Sequence, residues 1–248
     1  MRSRAEFETV AALIAEGRND CEIARDTGIP LSTVRRWRVD PGIGSRRNRQ
    51  STCPICDDAH VPEADYAYLL GLYLGDGHIA KCRRDVFRLD ISLDSKYPEI
   101  ISECQSTVVK VRQYGAASIR LYASWSTVYS CWKHWPCILP HGQGPKHKRK
   151  IELADWQEEI VAQHSGKLLR GLIHSDGCRG TNTVRNRLGT VYSYPRYQFT
   201  SYSDDIREIF CKACEDYGVG WTQMNWRTIS VARRADVARL DEIIGPKR

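Results

Sequence analysis

No stretch of this chain approaches the roughly twenty consecutive apolar residues that a membrane-spanning helix requires. Its opening segment, MRSRAEFETV, likewise lacks the apolar run of a secretory signal. The expectation is a soluble, cytoplasmic protein. Without a secretory segment, its ten cysteines read as reduced thiols or metal ligands rather than as a disulfide framework. Acidic side chains are the minority, 30 against 37 Lys and Arg, which leaves a formal charge of +7 over 248 residues. That balance fits a polyanionic partner, and its distribution along the chain matters more than its sum. The length allows one or two domains with ample core.

What is present is a repeat. The apolar run YLLGLYLGDG, residues 68–77, ends in Gly-Asp-Gly, and LLRGLIHSDG at 168–177 answers it. Leu69, Gly71, Leu72, Asp76 and Gly77 recur 100 residues later as Leu169, Gly171, Leu172, Asp176 and Gly177. Downstream, Tyr114-Gly115 is matched by Tyr217-Gly218, and WSTVYS (125–130) by WRTISV (226–231). Thr127 lies 50 residues beyond its Asp-Gly pair and Thr228 lies 51 beyond the second. Residues of about 63–245 therefore read as two tandem copies of one unit. One copy alone would be a helix stop, because Gly supplies the turn after a helix and Asp tolerates it. Two copies place a carboxylate twice at a helix C-terminus, where the backbone is already negative.

Within each copy the hydrophobic period changes from helical to alternating. VFRLDISLD sets Phe87, Leu89, Ile91 and Leu93 against Arg88, Asp90, Ser92 and Asp94, and SIRLYAS alternates Ile119 and Leu121 with Arg120 and Tyr122. Residues 97–111 between them read as a helix. The second copy repeats the order with YPRYQFTSYS as strand, SDDIREIFCKACEDYG as helix, VGWTQMN and TISVARR as a hairpin, and a helix from about Ala235. Each unit is helix, two strands, helix, two strands, helix. The fold class is α+β, with two antiparallel sheets each showing one face to solvent.

Ahead of the repeats lie three short helical segments, at 5–16, after Asn19, and from about Ser32. Ile23, Ala24, Ile29, Val34 and Trp37 are their expected core. The pattern resembles a helix-turn-helix, whose last helix enters the DNA major groove. Ser32, Thr33, Arg35 and Arg36 are the expected contacts, with a purely structural three-helix cap as the alternative. The division expected is a helix-turn-helix domain at 1–42, a basic linker with the CPIC turn at 43–62, and the two-repeat domain at 63–248. In the linker, Arg46 and Arg47 can track phosphates or simply keep a tether soluble. Cys53 and Cys56 offer half of a zinc site that His60, Cys137 or His141 could complete, against the alternative of two thiols in a turn.

These motifs, LLGLYLGDG at 69–77 and LRGLIHSDG at 169–177, resemble those of the LAGLIDADG homing endonucleases, and the resemblance covers about three quarters of the chain. It implies two motif helices packed at the centre through Gly71 with Gly75 and Gly171 with Ser175, and two sheets forming a saddle over duplex DNA. It implies that Asp76 and Asp176, with carbonyls of Gly75 and Ser175, hold Mg2+ or Mn2+ against a scissile phosphate, each site cutting one strand. The segment GPKHKRKIEL resembles a basic stretch of the family, making Lys146, Lys148 and Arg149 candidates beside the metals or on the DNA backbone. His174 and Leu74 fill slots where the family often has Asp, so the halves are unequal and an asymmetric target is expected.

On the solvent-facing strands, Arg88 and Arg120 suit guanine, Gln198 suits adenine, and Tyr122 can pack or donate. Arg179, Arg185, Arg187 and Arg196 read as phosphate contacts. The expected function is a site-specific, divalent-metal-dependent double-strand DNA endonuclease, monomeric with internal pseudo-twofold symmetry and associated with the nucleoid when bound. The alternative is a transcriptional regulator on the same scaffold that binds without cutting, as in a sporulation-regulator family whose helix-turn-helix lies at the other end of the chain. An RNA maturase is a third reading, disfavoured by the helix-turn-helix.

Overall fold

The computed structural model describes residues 4–40, 53–56, 60–113, 115–185 and 187–245. The chain divides into two compact units, Met1–Thr52 and Cys53–Arg248.

The first unit holds α1 (Arg4–Ala15), α2 (Asp20–Thr27) and α3 (Leu31–Val39). Asn19 opens α2 through a capping box, accepting from the Glu22 N–H while the Glu22 carboxylate accepts from the Asn19 N–H. Gly28 closes that helix at φ 67°, the left-handed turn that leads into Ile29 and Pro30. Val10, Ile23, Ile29, Val34 and Trp37 form a small buried cluster, with Phe7 edge-on to Trp37 at 5.1 Å. Arg38 ties α3 back to α2 through Asp20 at 2.6 Å. Arg46 and Arg47 lie outside the described residues.

The second unit is built of two αββαββα repeats. The first comprises α4 (Glu63–Asp76), β1 (Gly77–Lys81), β2 (Phe87–Asp94), α5 (Pro98–Arg112), β3 (Ser118–Leu121), β4 (Trp125–Trp132) and the single turn α6 (Trp135–Ile138). A 3-10 turn at Lys146–Lys148 and α7 (Asp155–Gln163) then connect to the second repeat. This comprises α8 (Ser165–Asp176), β5 (Gly177–Arg185), β6 (Val191–Thr200), α9 (Asp204–Tyr217), β7 (Thr222–Asn225), β8 (Thr228–Val231) and α10 (Arg234–Ile244). The two sheets have the same order, β1-β2-β4-β3 and β5-β6-β8-β7, antiparallel throughout. Register agrees as well, since Gly77 pairs with Ile91 and Gly177 with Phe199. Each motif helix therefore runs straight into the edge strand of its own sheet at the glycine after the aspartate. The alternation in β2 does what its pattern predicts, burying Leu89, Ile91 and Leu93 under the helices while Ser92 and Asp94 stay exposed.

The motif helices α4 and α8 cross at their glycines. A Cβ on Gly71 would stand 2.5 Å from the Leu168 carbonyl and 2.9 Å from the Gly171 Cα, so no side chain fits there. One turn on, Gly75 faces the Ser175 side chain with equally little room. CPIC is part of the second unit, not of a linker preceding it: the Cys53 side chain is fully buried in that unit's core.

Candidate active site

The contact between α4 and α8 brings both helix C-termini to one place. Each aspartate is the last residue of its helix, and each lines a cleft of its own. Asp76 opens on a cavity of about 730 Å3 bordered by Ser92, Leu93, His174, Ser175, Gly177 and Gly245. Asp176 opens on one of about 620 Å3 bordered by Gly75, Gly77, Lys146, Thr200, Ser201 and Tyr202. The two linings correspond through the repeat, because Ser92 follows Ile91 as Thr200 follows Phe199. The Asp176 carboxylate also approaches the opposite helix, its Oδ2 lying 3.3 Å from the point a Gly75 Cβ would occupy.

Lys146 reaches this centre from the turn between the repeats. Its ammonium donates to three successive carbonyls at the end of α4, Tyr73 at 2.5 Å, Leu74 at 2.9 Å and Gly75 at 2.6 Å. A cation on the last carbonyls of a helix is where the macrodipole favours one. Burial pushes the Lys146 ammonium down to about 8 against the opposing pull of Asp176 and Asp76, with Arg149 adding to the lowering. Gly75 O, expected as a metal ligand, thus has one lone pair already engaged. Ser175 turns its hydroxyl back to the Gly171 carbonyl at 2.9 Å. Lys148 is exposed and lines neither cleft, and Arg149 folds back onto the Gly144 carbonyl.

A buried polar pocket lies behind Lys146. The His141 ring packs on Tyr73 at 5.6 Å, and Tyr73 Oη, both His141 ring nitrogens and Arg149 Nε have no hydrogen-bond partner among the described residues. Groups of this kind are normally satisfied by internal water. Burial, helped by the charges of Arg149 and Lys146, pulls His141 down to about 4.

His174 borders the Asp76 cleft but turns its ring into the core. It is buried, with Nδ1 2.8 Å from the Tyr68 hydroxyl and Nε2 3.1 Å from the Ile244 carbonyl. Arg170 binds the Ile243 carbonyl at 2.8 Å and pairs with Glu103. Together they pin the end of α10 against α8, which sets Gly245 at the border of the Asp76 cleft. Gly144 borders the Asp176 cleft in the same way, and both glycines have positive φ, 91° and 66°. Each begins a Gly-Pro-Lys triplet, at 144–146 and 245–247. That repeated triplet is a sequence signal that sets Lys247 in correspondence with Lys146; Lys247 itself lies outside the described residues.

The open sheet faces carry the remaining candidates unevenly. Arg120 of the edge strand β3 lies over the ring of Tyr129 on β4 at 5.1 Å, and exposed Tyr122 stacks on exposed Trp125 at 4.9 Å. Gln198 and Arg196 stand on the face of β6 opposite buried Tyr197 and Phe199, and Arg185 and Arg187 are exposed at the far end of β5. Arg88 is engaged by Asp90 at 2.8 Å on its own strand. Arg179 departs from its expected role as a phosphate contact. Pairing in register with buried Tyr197, it points to the helix-covered side and makes a two-pronged ion pair with Asp241 at 2.7 and 2.9 Å. In the first unit, Ser32, Arg35 and Arg36 are exposed and Thr33 half-buried on α3, while Val34 and Trp37 face inward.

No family model matches the chain, and no curated protein does. Solved structures do resemble it. Mesophilic variants of the homing endonuclease I-DmoI align over 74% of this chain and 97% of theirs at 14% identity and a TM-score of 0.48. The LAGLIDADG meganuclease I-AabMI bound to uncleaved DNA aligns over 72% of this chain and 82% of its own at 12% identity and a TM-score of 0.46. The I-SmaMI LAGLIDADG homing endonuclease bound to cleaved DNA aligns over 73% and 83% at 11% identity and a TM-score of 0.44.

Proposed function

We propose that this protein is a site-specific, divalent-metal-dependent endonuclease that cuts both strands of duplex DNA. The observation that carries the reading is the convergence of Asp76 and Asp176 at the crossed C-termini of α4 and α8, each bordering its own cleft, with the engaged Lys146 ammonium at the border of the Asp176 cleft. Two carboxylates brought to two carbonyl-rich helix ends gather negative charge that attracts cations. Their donors are hard oxygens, which fit Mg2+ or Mn2+ better than softer ions. Asp76 and Asp176 would hold the ions, with the Ser175 carbonyl and the remaining lone pair of Gly75 as further donors. When bound there, such ions supply an activated water and neutralise charge developing on the phosphate.

The chain's own residues do the rest. Lys146 holds the end of α4 in place and would put a positive charge, its pKa lowered to about 8 by burial, beside the reacting phosphate. Close crossing at Gly71 and Gly171 holds the two helices that end in the carboxylates tightly against each other. Arg120, Tyr122, Arg196 and Gln198 present donors and rings to base edges, and Arg185 and Arg187 present charge to the backbone. The first unit reads as a helix-turn-helix that extends the target, with Ser32, Thr33, Arg35 and Arg36 at the N-terminal half of the reading helix.

The test is a two-step selection. Duplexes enriched from random DNA in Ca2+ are exposed to Mg2+ and the breaks mapped. Discrete breaks that vanish in the protein carrying both Asp76→Asn and Asp176→Asn support the reading. A selected sequence that stays intact, bound equally by the doubly substituted protein, overturns it in favour of a regulator.

A further inference from the structure

Far from the carboxylates, four soft side chains meet. Cys53 and Cys56, from the CPIC turn, lie against His134 and Cys137, which flank Trp135 just beyond β4. One ligand atom from each, three Sγ and an imidazole nitrogen, all fall within 4.8 Å of one another. The individual spacings are 3.7 Å for Cys56 Sγ to Cys137 Sγ, 3.7 Å for Cys56 Sγ to His134 Nδ1, and 3.6 Å for Cys137 Sγ to His134 Nδ1.

These three spacings among Cys56, His134 and Cys137 match the edges of a tetrahedral metal site. A tetrahedron with metal–sulfur bonds of about 2.3 Å and a metal–nitrogen bond of about 2.05 Å has S···S edges near ~3.8 Å and S···N edges near ~3.6 Å. A disulfide needs sulfurs about 2.05 Å apart, and none of the ten cysteines is in one. The pattern is Cys-x2-Cys followed by His-x2-Cys, two short hairpin-like pairs brought together across 78 residues of sequence. The sequence suggested Cys137, His60 or His141 as completing ligands; Cys137 is there, and His134 takes the fourth place.

We infer that Cys53, Cys56, His134 and Cys137 form a structural zinc site of the Cys3His type. Four protein ligands close the coordination sphere, leaving no position for water or substrate, so the ion's work is mechanical. Loading releases the protons of the thiols as they become thiolates. The consequence for the fold is specific. Trp135 donates its indole N–H to the Ser130 carbonyl at 2.9 Å, and the Ile138 carbonyl accepts from Tyr66 at 2.6 Å. The ion would clamp the first residues of the second unit onto this turn, and hence onto α4 and the segment that delivers Lys146. The site stands independently of the proposed endonuclease activity.

The test begins with full-length protein purified without a histidine tag. Elemental analysis should find one zinc per chain, retained on dialysis and released by a mercurial reagent that caps thiols. Replacing it with Cd2+ should give the ultraviolet sulfur-to-metal charge-transfer band of three thiolates, and X-ray absorption at the zinc edge should show three sulfurs and one nitrogen. Cys56→Ser and His134→Ala should each lower zinc affinity at least tenfold, whereas Cys211→Ser should leave one zinc per chain. Should either variant fail to fold, the absorption edge of the unmodified protein decides alone. A chain that is metal-free, that binds Zn2+ no more tightly than the Cys56→Ser protein, or whose edge shows oxygen ligands overturns the site.

Discussion

Lys146 Nζ donates to the Gly75 carbonyl at 2.6 Å, which places a buried ammonium on the residue before Asp76 and within reach of the field of Asp176. The lysine belongs to the connection between the repeats, the glycine to the first motif helix. Of the three basic candidates in the GPKHKRKIEL segment, Lys146 is the one that borders a cleft. Lys146→Met should lower the cutting rate by about 10²-fold or more while leaving DNA affinity in Ca2+ nearly unchanged. Lys146→Arg should not restore it, because a planar guanidinium cannot converge on three carbonyls as an ammonium does. By the repeat of Gly-Pro-Lys, Lys247→Met is expected to impair cutting to a similar extent, with the opposite strand more affected. Strand-resolved cleavage kinetics check all three.

Asp76→Asn and Asp176→Asn, made singly, should each convert double-strand cutting into nicking or abolish it, and spare binding. Gel mobility of a supercoiled plasmid bearing the selected site distinguishes nicked from linear product. Loss of binding in metal-free buffer equal to the loss of cutting would sink the assignment.

Gly71→Ala tests the helix crossing. The added methyl would lie 2.5 Å from a backbone carbonyl that cannot move without the whole helix, so the cost should reach about 1–3 kcal/mol, the usual range for overpacking. Gly180→Ala, where nothing lies within 4 Å, is the matched control. Urea denaturation of both proteins gives the comparison.

His141 gives the protein an acid-sensitive core. Its folded-state value of about 4 lies below the ordinary 6.5, so the unfolded chain takes up a proton first as pH falls. Stability contributed by keeping the ring neutral is complete above pH 6.5 and is lost progressively down to pH 4, amounting to about 3 kcal/mol. His141→Phe should flatten the dependence of the urea midpoint on pH across that window.

In the first unit, Arg35→Ala should relax base preference at one position of the target and cost about 1–3 kcal/mol of binding. Arg38→Ala should instead destabilise the unit, since Arg38 is tied to Asp20 and the Arg18 carbonyl. Competition binding and thermal melting separate the two effects.

Much of the second unit was legible because its information is local and stated twice. The leucines around Gly71 and Gly171, the stop at Asp-Gly and the alternation of Leu89, Ile91 and Leu93 each specify an element within a few residues. What escaped are contacts between distant segments. Arg179 read as a phosphate contact because its exposure and charge fit one, yet Asp241, 62 residues on, claims it from the covered side of the sheet. Arg88 faces the open side as the alternation predicts, but its guanidinium is engaged by a neighbour two residues away. His174 stands in an acidic slot of the motif and turns inward to Tyr68 and Ile244, which no spacing rule reveals.

The sequence by itself determined the repeat, the helix–strand order and the two aspartates at helix ends, because hydrophobic period and glycine placement act over a turn or a strand. Only the tertiary structure decided which side chains meet: Lys146 on the carbonyls of α4, His134 with three cysteines, Arg179 on Asp241. Those meetings follow from the crossing of two helices and the pairing of two sheets, whose close packing selects partners by distance in space and is indifferent to distance along the chain.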